Sequence, residues 1–350
     1  MKIIFFTRLF YPHIGGVEKH VLNVSQQLIE RGHKVIIITE LNDSKLKLHE
    51  MHENIEIYRI PVSQNQWFKK FYIWWWLIKN IRLLSSSDIL HFHDVYFWYF
   101  PFKLIWPFKK SFITFHGYEG NYLPTRKAVL MHRISEILAN GSIAIGSFLV
   151  KWYKQKPNII SYGAVNVPQS FSKSKSSILN ILFVGRLEIE TGILPYIESL
   201  YVLKEKNIQF RFIIAGQGSL WKECKKLCQE GDIDCKLLGF KANLQSYYKN
   251  SDLVFASRYL AILEAMSFRK PVYAVYNNPI KKDYLNMTPF RKYIRISDSP
   301  KPLSALLIKD LKKYKQVSED VEAGYKWVKD QTWHKLTLQY EQLWGLKRHP

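Results

Sequence analysis

The chain has 350 residues, 47% of them hydrophobic, enough to fill two cores rather than one. Its 16 glycines and 14 prolines exclude a collagenous or low-complexity chain. Fifty-one Lys and Arg against 29 Asp and Glu give a formal net charge of +22, a field that attracts nucleic acid, anionic membrane or phosphorylated small molecules, or that simply follows from a lysine-heavy composition. Zinc-finger, homeodomain-like and RNP readers are all missing from the sequence, so no nucleic-acid partner is expected.

The opening run Lys2–Phe6 is a short apolar strand leading into a loop, Thr7–Gly16. Val17, Val21, Val24 and Leu28 follow at helical spacing, Gly32 ends that helix, and Val35–Thr39 reads as the next buried strand. Strand, helix, strand is the unit of a parallel sheet. Further strands are expected at Ile55–Ile60, Asp88–Phe92, Ser111–Phe115 and Ser142–Ile145, making residues 1–165 a Rossmann-like domain. Residues 166–177 contain VPQSFSKSKSS and read as a linker. The pattern then restarts over 178–316, with strands at Ile178–Val184, Phe210–Ala215, Lys236–Leu238, Leu253–Ala256, Pro271–Val275 and Tyr293–Ile296, and a helix over Ile193–Lys206. Residues 317–350 form a helical segment carrying Trp327, Trp333 and Trp344 that is expected to pack back on the domains. Two Rossmann-like α/β halves facing across a cleft would make that cleft the ligand site.

Cys224, Cys228 and Cys235 cannot close a set of disulfides and lack a histidine at zinc-finger spacing. They read as reduced thiols of a reducing compartment. The apolar start is too short for a signal peptide, and no stretch reaches the roughly 20 apolar residues of a membrane span. The expectation is a cytoplasmic protein, peripheral on the inner face of the membrane. That attachment is read from two segments, QWFKKFYIWWWLIKNIRLL at Gln66–Leu84 and YFWYFPFKLIWPFKKSF at Tyr96–Phe112. Both mix aromatics with cations, as an interface with anionic lipid favours. Part of each must also serve the core.

Several positions carry candidate chemistry. Gly15 and Gly16 stand where the first strand turns into its helix, allowing close backbone approach and offering amides to a phosphate or sugar hydroxyl. Their spacing is not G-x-G-x-x-G, which disfavours a dinucleotide cofactor. Arg186 follows the strand and glycine of ILFVG, where a guanidinium can meet two phosphate oxygens. Glu264 is read as opening the helix LEAM, where a carboxylate also suits the helix dipole. His116, in FHGYEG, can titrate near neutrality or donate a fixed hydrogen bond. Glu119 in the same loop, His93 and Asp94 after DILHF, and Glu18 on the first helix are candidates for the acceptor side.

MKIIFFTRLFYPHIGGVEKHVLNVSQQLIERGHKV, ITFHG, ILFVGRLEIETG, FIIAGQG and LEAMSFRKPVYAV occur in this order. The ordered set resembles the retaining glycosyltransferases of family 4, which have the GT-B fold. The resemblance implies a UDP- or GDP-sugar donor, no metal and no further cofactor, and front-face transfer in which the leaving diphosphate helps take the acceptor proton. It assigns Arg186 to the donor diphosphate, Glu264 to the ribose hydroxyls, His116 to the donor sugar, and Gly15, Gly16 and Gly216 to the donor site. The acceptor is expected to be a glycan or lipid-linked, in cell-envelope polysaccharide or glycolipid synthesis. Two positions depart from the family pattern. Thr191 stands where a second cation, a lysine, is usual, its hydroxyl expected to donate a hydrogen bond at the donor diphosphate without supplying charge, and Ala256 stands eight residues before Glu264 where a second glutamate is frequent. Arg258, Lys270, Lys281 and Lys282 are the cations available to compensate. These departures motivate an alternative, a catalytically weak paralogue acting as a nucleotide- or glycan-binding partner subunit. A sugar-nucleotide epimerase and a nucleic-acid-binding module are further rivals.

Overall fold

The computed structural model describes residues 1–13, 15–62, 66–117, 123–168 and 178–346. Most of the expected linker, and Glu119, lie outside the described residues. The chain divides into two compact units, one of Met1–Tyr118, Pro124–Ser161 and Trp333–Pro350, the other of Glu119–Leu123 and Tyr162–Thr332.

The first unit runs β1 (Lys2–Thr7), α1 (Gly16–Glu30), β2 (Lys34–Glu40), β3 (His49–His52), β4 (Ile55–Ile60), α2 (Gln66–Lys79), α3 (Ile81–Ser85), β5 (Ile89–His93), a 3-10 turn at Tyr96–Trp98, α4 (Phe100–Ile105), β6 (Ser111–Phe115), α5 (Arg126–Leu138), β7 (Ser142–Ile145), α6 (Phe148–Tyr153) and β8 (Ile159–Ser161). Its sheet has the order β3-β4-β2-β1-β5-β6-β7-β8, parallel except for the β3–β4 pair. Ile3 to Phe6 are wholly buried, as a central parallel strand covered on both faces requires. Strands β3 and β8 are additions to the sequence expectation; β3 carries His and Glu with one Met, and β8 is only IIS.

The second unit runs β9 (Leu179–Val184), a 3-10 turn at Ile189–Thr191, α7 (Ile193–Glu205), β10 (Phe210–Ala215), α8 (Trp221–Glu230), β11 (Cys235–Gly239), α9 (Gln245–Asn250), β12 (Leu253–Phe255), α10 (Tyr259–Ser267), β13 (Val272–Val275), α11 (Pro279–Asn286), a 3-10 turn at Arg291–Tyr293, β14 (Arg295–Ser297), α12 (Pro300–Lys312) and α13 (Tyr314–Val328). The order is β11-β10-β9-β12-β13-β14, all parallel. Cys224 and Cys228 are free thiols on the buried face of α8. After Thr332, which pairs with Val165 in an isolated parallel bridge, the chain returns to the first unit as α14 (Trp333–Leu343), packed on α1 and β8. The helical segment expected over 317–350 thus comprises the greater part of α13, in the second unit, and α14, in the first.

Each sheet reverses its strand order once: between β1 and β5 in the first unit and between β9 and β12 in the second. At such a switch point the connections leave toward opposite faces and open a crevice beyond the carboxyl ends of the strands. Gly15 and Gly16 follow β1, His93 and Asp94 end β5, and His116 ends β6, next to it. Arg186 follows β9, and the connection after β12 leads into the helix that carries Glu264.

Glycines shape the second of these crevices by steric necessity. A Cβ on Gly216 would lie 1.8 Å from the Gly185 carbonyl oxygen, and one on Gly218 would lie 2.3 Å from that of Leu187. The loops after β10 and β9 thus lie backbone against backbone, joined by Leu187 N–H to Gln217 O at 2.9 Å. Gly216, expected at the donor site, supports the loop that carries Arg186. Gly216→Ala should cost the second unit about 2–3 kcal/mol of stability, as overpacking does. Gly117→Ala, with nothing within 4 Å of the added carbon, should stay within about 0.5 kcal/mol. Urea unfolding of both variants provides the comparison.

Candidate active site

Four histidines meet around the carboxyl ends of β5 and β6: His20 from α1, His91 and His93 from β5, and His116 just past β6. The His20 and His116 rings stand edge to face at 4.6 Å, and the His93 Nδ1 to His116 Nε2 distance is 2.8 Å. Behind them a hydrogen-bond chain enters from α14. Trp344 Nε1 bonds His91 Nδ1 at 3.0 Å; His91 Nε2, Thr114 Oγ1, the Tyr340 hydroxyl and His20 Nε2 continue it with three links of 2.8 Å. An indole N–H can only donate, and this fixes the direction of the rest. His91 accepts at Nδ1 and donates from Nε2, Thr114 donates to Tyr340, and Tyr340 donates to His20. That assignment leaves no donor of the chain idle, and an idle buried donor costs about 1–3 kcal/mol. His20 then holds its proton on Nδ1.

His93 Nε2 is buried without a hydrogen-bond partner among the described residues. A bare nitrogen lone pair is tolerated there better than an orphaned N–H. His93 therefore donates from Nδ1 to His116 Nε2, and the proton of His116 sits on Nδ1. Burial, and the proximity of the other imidazoles, hold His91, His93 and His116 well below the usual histidine range, and burial pushes His20 down to about 3. Of the two roles open to His116, titrating group or fixed donor, the structure supports the fixed, neutral donor.

The neighbouring candidates are placed as supports. The His93 ring is buried, so it backs His116 and does not face an acceptor as expected. Asp94, in the left-handed region at φ 63°, receives the His116 backbone N–H at 2.9 Å through Oδ1. The Glu18 carboxylate accepts the Gly15 N–H at 2.9 Å and lies 3.3 Å from His13. That amide at the start of α1 is already capped, contrary to the expectation of an unpaired donor awaiting a ligand.

In the second unit Arg186 projects from the loop after β9, its side chain two-thirds exposed, with Nη2 2.8 Å from Glu190 Oε1. Glu188 braces the loop by accepting from the Ser219 N–H at 2.8 Å and hydroxyl at 2.5 Å, bonds that hold its carboxyl below the usual range. Thr191 is buried, and its hydroxyl is 2.7 Å from both the Arg186 and Glu188 carbonyl oxygens. Its single proton is spent on this turn, so the idea that it donates to a diphosphate is corrected: it shapes the loop that presents Arg186. Glu264 is not at a helix start. Arg258 caps α10, and Glu264 lies well inside it, which removes the helix-dipole explanation for a carboxylate there. The Tyr248 hydroxyl donates to Glu264 Oε2 at 3.0 Å. Tyr248 is buried, and burial with the Glu264 charge raises its phenol well above the ordinary value, so it remains a donor.

The departure at Ala256 also resolves. β12 joins α10 through Ala256, Ser257 and Arg258 alone. Ala256 is wholly buried, its N–H bonded to Tyr273 O at 3.1 Å. The connection has no glycine-rich loop, and a glutamate at this position would be driven into the core. Of the compensating cations, Lys270 instead caps α9, donating to the Lys249 and Ser251 carbonyl oxygens at 2.8 and 2.7 Å. Lys281 is wholly buried and donates to the Ser257 carbonyl oxygen. Sequence reasoning missed the roles of Glu190, Tyr248, Tyr340 and Trp344; of these Glu190 alone lies within a quoted family segment, ILFVGRLEIETG, where nothing singled it out.

Two parallel-sheet α/β units with these strand-end loops define a GT-B glycosyltransferase fold. Sucrose-phosphate synthase from Thermosynechococcus elongatus has the same fold, with a TM-score of 0.75 at 15% identity and 98% of each chain covered. The profile described as Glycosyltransferase Family 4 matches residues 14–155, and that described as Glycosyl transferases group 1 matches residues 169–327. The chain belongs to glycosyltransferase family 4. It is 23% identical over 225 residues, 60% of its length, to the phosphatidylinositol N-acetylglucosaminyltransferase gpi3 subunit of Schizosaccharomyces pombe. It is 24% identical over 235 residues, 62% of its length, to the GDP-mannose:cellobiosyl-diphosphopolyprenol alpha-mannosyltransferase of Xanthomonas campestris. The matches span 49% and 60% of those relatives.

Neutral burial of the histidines has a measurable consequence. Each stays unprotonated in the folded chain but takes a proton near pH 6.5 when unfolded. Below that pH the unfolded state binds more protons, so stability falls on acidification, by at most about 1.4 kcal/mol per pH unit for each histidine. The melting temperature should drop steadily from pH 7 to pH 5, the loss attached to His20 continuing toward about pH 3. A flat profile between pH 7 and 5 would contradict neutral burial.

Proposed function

We propose that this chain transfers a hexosyl group, with retention, from a UDP- or GDP-sugar to a lipid-linked acceptor at an anionic membrane surface, in cell-envelope glycolipid or polysaccharide synthesis. The observation that carries the reading is the placement of Arg186 and of the α10 connection at the one strand-order reversal of the second sheet, with His116 beside the reversal of the first. Arg186 binds the donor diphosphate and offsets the charge that grows on it as the glycosidic bond lengthens. Glu264, aimed by Tyr248, accepts from the ribose hydroxyls. His116 donates its Nδ1–H to the donor sugar and holds it for front-face attack, and the departing diphosphate takes the acceptor proton. Gly15 and Gly16 leave room for the backbone beside the donor. No metal is required in this scheme, so turnover should withstand chelation.

The lipid-linked acceptor is supported by an apolar face on the first unit. Phe68, Phe71, Tyr72, Trp75 and Ile78 follow one another at helical spacing on α2 and are all exposed, whereas Ile73 and Leu77 on its other side are buried. α2 and α4 both pack on the Tyr96–Trp98 turn, and beyond it Leu104 and Phe108 are 83% and 94% exposed. Lys79 lies over the Trp75 ring at 3.6 Å, an aromatic–cation pairing suited to headgroup level. The two segments expected at a membrane thus divide between core and surface: Tyr96, Trp98, Tyr99 and Phe102 are interior. The names of both curated relatives carry a lipid, phosphatidylinositol in one and diphosphopolyprenol in the other. The second reading, a partner subunit of weak activity, draws on the absent lysine at Thr191 and on the subunit named in the yeast relative.

A thermal-shift screen over UDP- and GDP-sugars should show stabilisation by one nucleotide class, and Arg186→Ala and Glu264→Ala should each abolish it with the fold intact. Either variant keeping the full shift would refute the role given to that residue. Sugar transfer or slow donor hydrolysis separates the enzyme from the partner subunit. In co-sedimentation, wild-type protein should pellet with phosphatidylglycerol vesicles, and Phe71→Ser with Trp75→Ser should leave it largely in the supernatant. Equal recovery in the supernatant with and without vesicles would overturn membrane docking.

A further inference from the structure

The second unit contains a cluster of four charged groups, of which the family resemblance gives a role to Arg186 alone. Glu190 Oε1 is 2.8 Å from Arg186 Nη2 and 4.0 Å from Arg258 Nη2, so one carboxylate oxygen stands between two guanidinium groups. The arginines come from the loops after β9 and β12, neighbouring strands whose carboxyl ends flank the strand-order reversal. Lys281 completes the group. Its ammonium is wholly buried, donates to the carbonyl oxygen of Ser257, the residue before Arg258, and lies 4.6 Å from the Tyr284 ring centre. Burial, followed by repulsion from Arg258 and then from Arg186, holds it well below the ordinary lysine range, while Glu190 opposes the shift. The four groups therefore share one electrostatic neighbourhood.

Thr191 supplies no charge and its hydroxyl is engaged. Arg258 is the cation whose position relative to Arg186 fits a second ligand for a dianionic group, since a single acidic oxygen already bridges toward both. Two guanidiniums around one small anion are the arrangement a diphosphate selects. With Glu190 in place, part of the attraction is satisfied internally, and an incoming diphosphate must compete with that carboxylate or push it aside.

We propose that Arg258 is the second diphosphate-binding cation of this chain, and that Glu190 is a built-in counter-ion which the diphosphate of the nucleotide displaces. This rests on the nucleotide-binding role given above to Arg186. Lys281 acts as a positioning residue: it ties down the carbonyl of Ser257 and so fixes where Arg258 leaves the backbone. Glu190 keeps the two guanidiniums gathered and partly neutralised when no nucleotide is bound, and it weakens adventitious capture of lone phosphate.

The test is calorimetric titration of full-length protein with UDP, GDP and inorganic phosphate, on wild type and on Arg186→Ala, Arg258→Met, Arg258→Gln and Glu190→Gln, each checked for an unchanged circular dichroism spectrum. For whichever nucleoside diphosphate binds wild type, both Arg258 variants should weaken binding by about tenfold or more, the size of a lost charge-assisted contact. Glu190→Gln should tighten it by about fivefold and bring phosphate binding into range. Arg258 variants that bind like wild type, while Arg186→Ala does not bind, would overturn the inference and leave the proposed function standing. If Arg186→Ala also binds normally, the proposed function itself fails. Glu190→Gln weakening binding as much as loss of Arg258 would make Glu190 an organiser of the arginines and overturn its role as a counter-ion.

Discussion

A parallel strand can bury both faces only if the connections around it leave in opposite directions somewhere in the sheet, and at that place its carboxyl end has no helix across it. Each unit meets this constraint once, and the chemistry-bearing side chains gather there. In the first unit β1 and β5 end in glycines and histidines; in the second β9 and β12 end in the two arginine loops. The apolar strands are therefore what brings together groups far apart in sequence. Arg186 and Arg258 come to one carboxylate because Ile181–Phe183 pair with Leu253–Phe255, and His20 and His116 meet because Ile3–Thr7 pair with Ile89–His93 and Leu90–His93 in turn with Ser111–Thr114.

Much of this was legible in the order of residues. Uninterrupted runs such as KIIFF and ILFV announce buried parallel strands, and glycine at their ends announces the loops. The strands that escaped notice were those without such runs: His49–His52 pairs antiparallel at an edge, where a half-exposed strand needs little apolar content. Motif resemblance singled out Arg186, Glu264 and His116 as candidates, and their surroundings were beyond its reach. Nothing local marks Glu190 as the neighbour of Arg258, or Tyr340 as the neighbour of Thr114, because these pairings depend on strand register and on which unit a helix joins. Thr191 and Ala256 were visible as departures. Their consequences, a hydroxyl turned onto carbonyls and a three-residue connection without a loop, required coordinates.

The excess of positive charge gathers in at least two places. Some of it surrounds Glu190, where cations outnumber the single carboxylate. Some of it borders the apolar face of α2, where Lys70, Lys79 and Arg82 are exposed. Lys69, by contrast, is engaged with Glu40 at 2.6 Å, and Lys270 is consumed as a helix cap. Formal charge alone does not distinguish these fates; the partner of each ammonium does.

The return of α14 to the first unit bears on how the protein is made. Trp344 begins the hydrogen-bond chain that orders His91, Thr114, Tyr340 and His20, yet it is synthesised after the whole second unit. Amino-terminal domains generally fold first as they leave the ribosome. Here the amino-terminal sheet emerges with its buried imidazoles still missing their donors, and it can settle into its final protonation pattern only after residue 344 is free of the exit tunnel. The later-encoded unit, contiguous from Tyr162 to Thr332 apart from five earlier residues, is the one that can mature first.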